Sequence, residues 1–231
     1  MKNRKIILIL LIVIQLIVII PINTYAKDTD DYFNTSINTV VSYLKCQNNQ
    51  WGGWGDSEHY TADIANIIEN VNEDFQNEDL KIMCISAEDY LYDEDISNND
   101  SLSRYLLLNT LQDDLFITRL KNAQNPDGGF GLSEGYASDI IDTKLALKTL
   151  ADLTETQAMT KAAVYIASLQ NDDGGFPNQP GLTSNPELTA EIADILADCI
   201  IKKQSLSDTL SDTIHDLNEY LEANAKPISE L

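Results

Sequence analysis

One segment of the chain occurs twice, 46 residues apart. Arg119-Leu120-Lys121-Asn122-Ala123-Gln124-Asn125-Pro126-Asp127-Gly128-Gly129-Phe130 is echoed by Tyr165-Ile166-Ala167-Ser168-Leu169-Gln170-Asn171-Asp172-Asp173-Gly174-Gly175-Phe176. A looser copy stands upstream as Tyr43-Leu44-Lys45-Cys46-Gln47-Asn48-Asn49-Gln50-Trp51-Gly52-Gly53-Trp54. A repeat of this length constrains the architecture before any single residue does, because each unit must bury its apolar face against its neighbours. An amphipathic segment restarts after each copy, at Thr61, Thr143 and Thr189. Each unit is therefore expected to be a helix, a Gly-rich turn with a loop, and a second helix. Glycine reaches backbone angles closed to other residues, and Asn, Asp and Pro beside it favour a turn.

Within each unit, Gln47, Gln124 and Gln170 are expected to bond free backbone groups at a helix end. Gly52, Gly128 and Gly174 are expected to make the turn. Trp54, Phe130 and Phe176 are expected to pack on neighbouring helices as a clasp between repeats. Apolar residues at three- and four-residue spacing predict nine helices, at about 30–47, 60–71, 76–92, 101–111, 113–124, 138–152, 156–170, 186–203 and 206–224. No strand pattern of comparable length competes. Residues 76–111 occupy the place of one more unit that has lost its Gln and Gly pair.

The run Lys161-Ala162-x-x-Tyr165-Ile166-x-x-x-Gln170-x-x-x-Gly174-x-Phe176 resembles the QW motif of squalene and oxidosqualene cyclases, with Phe in place of Trp. Similar repeats occur in protein prenyltransferase β subunits and, more loosely, in thioester-containing complement-like domains. The second copy keeps Leu120, Gln124, Gly128 and Phe130 of that pattern. The resemblance covers roughly residues 30–205 and implies an all-α chain folded as a small or partial α/α toroid. It says less about activity, since such folds serve cyclases, transferases and non-enzymatic binding modules.

The first 26 residues are predicted to be a secretory signal peptide, with Lys2, Arg4 and Lys5 ahead of an apolar run from Ile6 to Ile20 broken only by Gln15. Cleavage after Ala26 leaves a domain of residues 27–231, secreted and without a stable membrane anchor. The formal charge of the whole chain is −22, and losing three basic residues with the leader makes it more negative. Such a field repels nucleic acid and anionic headgroups and favours cationic ligands or basic surfaces. Cys46, Cys84 and Cys199 are read as small buried apolar residues rather than a disulfide framework.

In a toroid the Thr-led helices form the inner ring, and their first turns surround one end. That places His59, Asp63, Asp139, Asp142 and Glu191 at a candidate cavity rim, where they can meet a ligand or simply complement helix dipoles. Asp139 and Asp142 stand three apart on one helical face and could share a proton or a cation if buried. Asp127, Asp172 and Asp173 are explained by turn propensity, since their spacing does not fit an EF-hand loop.

The chain is expected to lack the Asp-x-Asp-Asp acid of the cyclases. The Asp-x-Cys zinc pair of the prenyltransferases and the Gly-Cys-Gly-Glu-Gln thioester segment are likewise expected to be missing. Neither a cofactor nor a metal is expected. The expectation is thus a monomeric, non-catalytic binding module that uses its concave face or loop rim. The alternative is a cyclase- or prenyltransferase-type enzyme or subunit acting on an isoprenoid.

Overall fold

A computed structural model describes residues 29–55, 57–75, 77–93, 96, 98–108 and 113–225. The leader and its cleavage site lie outside the described residues. The chain divides into two units, one running to Cys46 and the other from Gln47 onward. All regular elements among the described residues are helices. All but the last residue of α1 (Thr29–Gln47) belong to the first unit.

The second unit contains α2 (Glu58–Phe75), α3 (Glu78–Asp93), α4 (Asn99–Leu106), α5 (Asp114–Asn122), α6 (Ile140–Asp152), α7 (Thr156–Ala167), α8 (Pro186–Lys202), α9 (Leu206–Thr209) and α10 (Ser211–Asn224). The helices start where polar side chains can accept from free backbone amides. Asn98 caps α4, Asp113 caps α5, Asp139 caps α6 through the amides of Ile141 and Asp142, and Asn185 caps α8 with Pro186 following. Thr61, Thr143 and Thr189 sit near helix starts as expected, but one turn inside, and they have a different task described below.

Packing follows a simple order. The even-numbered helices α2, α4, α6 and α8 contact one another in series, and each also packs against a following partner: α3, α5, α7 and α10. The buried faces of the even helices supply the core, with Ala62, Ala65 and Ile68, then Leu102 and Leu106, then Ala146, Leu147 and Leu150, then Ile192 and Leu196. Alanines on α2 and α6 are fully covered, which allows neighbouring backbones to approach closely. The predicted final helix divides at Leu210, whose buried side chain and non-helical backbone form a corner between α9 and α10. Predicted 101–111 stops at Leu106, and residues 109–112 lie outside the described set.

The Gly-rich turns at 124–130 and 170–176 make matching hydrogen bonds. The Gln124 side chain donates to Gly128 O (2.9 Å) and to Ala158 O on α7 (2.9 Å). Gln170 donates to Gly174 O (2.9 Å) and to Thr213 O on α10 (3.0 Å). The amide of Phe130 donates to Thr143 Oγ1 at 2.8 Å and that of Phe176 to Thr189 Oγ1 at 2.9 Å. The amide of Trp54 donates to Thr61 Oγ1 in the same way, at 2.9 Å. These three threonines and three aromatic side chains are all buried.

Gly128 (φ +92°) and Gly174 (φ +83°) need glycine twice over. Their backbone is left-handed, and an added Cβ would strike the carbonyl of Lys161 or of Asp216 on the facing helix. The next glycine in each turn faces a tyrosine four residues further along that helix, Tyr165 or Tyr220.

The first copy requires a correction of one residue. The donor to Gly52 O is Asn48, at 2.9 Å, and not Gln47, which is the exposed last residue of α1. Asn48 precedes Gly52 by four residues, the same separation as Gln124 to Gly128 and Gln170 to Gly174, so hydrogen-bond reach sets the register rather than residue type.

Candidate functional site

The first two turns of α2 and α4 bring a set of charged side chains together. His59 on α2 meets Asp100 on α4, with Nδ1 to Oδ2 at 2.5 Å, and its Nε2 lies 3.7 Å from Asp63 Oδ2. Arg104 grips Asp100 through Nε (3.0 Å) and Nη2 (3.2 Å) and pairs with Asp63 through Nη1. Glu58 ties the same two helices by accepting from Ser101 Oγ (3.1 Å) and Asn98 Nδ2 (3.3 Å). The loop after the second turn closes over α4, where the Asn99 backbone amide donates to Leu132 O at 2.7 Å and its side chain to Gly131 O at 2.8 Å.

Electrostatics separate the acids of this set. Burial works against the charge on Asp100, but the hydrogen bonds from His59 and Arg104 outweigh it and hold the carboxyl down at about 2. Asp142 on α6 goes the other way. Partial burial, a hydrogen bond with Asp139 and the negative charges of Asp139 and Asp100 push it up to about 7, against a weaker pull from Arg104. Asp142 therefore holds its proton more tightly than an ordinary carboxyl, because it is partly screened from water and faces neighbouring acids. Asp139 remains exposed and keeps its capping role.

Of the five predicted rim residues, four fall in one neighbourhood: His59, Asp63, Asp139 and Asp142. Glu191 lies one helix further on and pairs with Lys144, joining α8 to α6. Asp63 and Glu191 stand in the second turns of their helices, so ion pairs with the adjacent helix, rather than a helix dipole, account for them. Sequence reasoning missed Asp100 and Arg104, which hold the centre of the network. They lie in the unit that lost its Gln and Gly pair. The signal that finds them is opposite charge roughly one repeat away, as in Asp63 with Arg104 and Lys144 with Glu191.

The carboxylates in the Gly turns are occupied by the turns themselves. Asp127 Oδ1 accepts from the Gly129 amide (2.9 Å) and Ser138 Oγ (2.8 Å), and Asp173 Oδ1 from the Gly175 amide (3.0 Å) and Ser184 Oγ (2.6 Å). Among the described residues, no group of three or more His, Cys, Asp or Glu side chains is arranged to hold a metal ion. Cys84 and Cys199 are buried and unbridged, and burial pushes both thiols up to about 12. Cys46, expected to be buried, is exposed. An open cleft of about 520 Å³ beside α10, lined by Asp173, Ser184, Glu219 and Tyr220 among others, includes none of the rim residues.

One sequence expectation is wrong outright. Asp28-Thr29-Asp30-Asp31 spells the Asp-x-Asp-Asp tetrad just ahead of the first repeat. Thr29, Asp30 and Asp31 open α1, in the first unit, and Asp28 lies outside the described residues.

No family model matches the chain. It is 40% identical over 79 residues to drimenyl diphosphate synthase of Streptomyces showdoensis, covering 32% of this chain and 15% of that protein. It is 35% identical over 83 residues to drimenyl diphosphate synthase of Streptantibioticus cattleyicolor, covering 34% and 16% respectively. The matched stretch therefore spans about one sixth of the length of these curated relatives. The chain is helical throughout its described elements and, over about a third of its length, similar to terpenoid cyclases of this kind.

Proposed function

We propose that the unit from Gln47 onward is an arc of an α/α toroid assembled from hairpins of about 46 residues. In this reading it is a binding module that captures a cationic group at the rim formed by the first turns of α2, α4, α6 and α8. The serial packing of those helices and the matching turns support the architecture. One observation carries the function: Asp139 caps α6 and Asp142 stands in its first turn, while the guanidinium of Arg104 is already committed to Asp63 and Asp100. A cation entering there meets these two acids, and a chain of formal charge −22 draws cations toward it.

The test is a calorimetric titration with arginine amide, a small guanidinium ligand, at pH 8. Asp142→Asn should weaken binding about two- to fivefold, the worth of one partly exposed ion pair. An affinity unchanged by that substitution, or insensitive to salt, removes the rim from consideration.

A second reading, a terpenoid cyclase-type enzyme or subunit, is favoured by the tetrad Asp28-Thr29-Asp30-Asp31 together with the likeness to drimenyl diphosphate synthase. Cyclisation initiated by protonation needs a positioned acid, and the tetrad supplies the residue types. Incubation with a series of linear isoprenyl diphosphates, followed by mass spectrometry of the extracted products, decides it. A cyclic product lost in the double variant Asp30→Asn, Asp31→Asn would replace the binding module with the enzyme.

We also propose export as a monomer. The secreted protein should start at Lys27, and a chain that keeps Met1 in a membrane would refute this. Among the described residues no helix is long and apolar enough to cross a membrane. The α10 helix covers the last Gly turn through Asp216, Tyr220 and Thr213. Deleting residues 205–231 should therefore cause association visible by light scattering.

A further inference from the structure

Exposed apolar side chains stand on the loops that lead into α6 and α8. Tyr136 is 60% exposed, Leu182 53% and Leu132 50%, and Ile141 in the first turn of α6 is also exposed. Tyr136 and Leu182 are equivalent positions, 46 residues apart, on the loops that lead into the adjacent helices α6 and α8. Both loops are held from beneath by the same bonds. Asn125 Nδ2 donates to Tyr136 O (2.8 Å) and to Ser138 Oγ (2.9 Å), and Asn171 Nδ2 donates to Leu182 O (3.0 Å) and to Ser184 Oγ (2.9 Å). Two large apolar side chains are thus presented outward on braced backbone, which lowers the ordering cost of binding.

The surroundings of these side chains are acidic. Glu134, Asp139, Asp142 and Glu187 stand on the same loops and first turns, while the nearby bases Arg104 and Lys144 are both in ion pairs. Exposed apolar side chains flanked by the acids Glu134, Asp139 and Glu187 select an occupant by charge. A second copy brings the same acids and is repelled, as are nucleic acid and an anionic membrane surface.

We propose that these loops dock a basic amphipathic segment of a partner protein. Its apolar side chains would cover Tyr136, Leu182 and their neighbours, and its Lys or Arg side chains would meet the acids of α6 and α8. The inference rests on the reading of the rim as a cation-binding site and names the class of partner.

Fluorescence anisotropy with three labelled helical peptides tests it: an amphipathic Lys/Leu peptide, the same peptide with Ser for Leu, and the same with Glu for Lys. The Lys/Leu peptide should bind at least tenfold more tightly than the Lys/Ser peptide, and the Glu/Leu peptide should not bind. The double variant Tyr136→Ser, Leu182→Ser should weaken the Lys/Leu peptide at least tenfold while leaving both the melting temperature and the affinity for arginine amide unchanged. Ile85→Ser on α3 and Val164→Ser on α7, exposed apolar positions on other helices, should have no effect.

Equal binding of the Lys/Leu and Lys/Ser peptides would overturn the proposal, as would equal loss in the Ile85 and Val164 controls. If arginine amide binds and the apolar contrast is missing, the partner class fails and the cation site stands. If neither ligand binds, both fail. Self-association abolished by the Tyr136 and Leu182 changes would make a second copy the occupant instead.

Discussion

Truncation of Phe176 tests whether the repeated turns hold the fold or serve a ligand. The ring is fully buried, its amide donates to Thr189 Oγ1 at 2.9 Å, and its carbonyl accepts from the Asn185 amide at 2.8 Å. Phe176→Ala keeps those backbone bonds and removes only the ring, so its cost is the lost transfer energy plus a cavity, about 3–5 kcal/mol. For a unit of this size each kcal/mol lowers the melting temperature by about 2–4 °C, which gives a fall of about 6–20 °C. Thr189→Val keeps the shape and removes the acceptor, leaving a buried amide without a partner at a cost of about 1–3 kcal/mol. The ring and the hydroxyl meet in one turn, so the double variant should lose less than the sum of the singles. Thermal unfolding followed by circular dichroism, with urea melts for the free energies, measures all three. A melting temperature within about 2 °C of the parent for Phe176→Ala, accompanied by loss of ligand binding, would refute the structural role.

Three further outcomes follow from the geometry. Asp142 has a folded-state pKa of about 7, well above the unfolded carboxylate near 3.9, so the folded chain binds the extra proton and stability falls as pH rises from about 4 to about 7. Asp100, held at about 2, does the opposite below about pH 4. Urea melts across this range should therefore peak near pH 4 to 5 for these two groups, and Asp142→Asn should flatten the upper limb by about 1–2 kcal/mol after allowance for solvent screening; an unchanged slope rejects the assignment. A thiol reagent should label Cys46 alone under native conditions and reach Cys84 and Cys199 only on unfolding, as counted by mass spectrometry. Asn48→Ala should lower the melting temperature by the equivalent of about 1 kcal/mol, while Gln47→Ala, which breaks no bond in the turn, should be neutral.

The helical class and most helix positions were legible in the sequence because they depend on local chemistry. Periodic apolar residues, cap residues and Gly pairs act within a few residues of themselves. The turn aromatics Trp54, Phe130 and Phe176 were legible for the same reason, since burial is the simplest use for a large ring that recurs at a fixed position. The slip from Asn48 to Gln47 shows the limit of matching by residue type. A side-chain amide four residues before the glycine reaches its carbonyl, and Asn in the right register serves where Gln in the wrong one does not.

The ion pairs between these helices were only half legible, and the reason is physical. The contacts, His59 with Asp100, Asp63 with Arg104 and Lys144 with Glu191, join helices about one repeat apart, so no local window contains both partners. Asp142 could be marked as half of an acid pair from spacing alone. Its proton affinity could not, because that depends on burial and on Asp100 from a neighbouring helix whose unit had lost the markers that align the others. A repeat that sheds its Gln and Gly pair still has to place its helix, and the remaining constraint is the charge it offers its neighbours. That constraint keeps Asp100 and Arg104 at the centre of the network, and it makes opposite charges one repeat apart the pattern to seek where the turn motif has decayed.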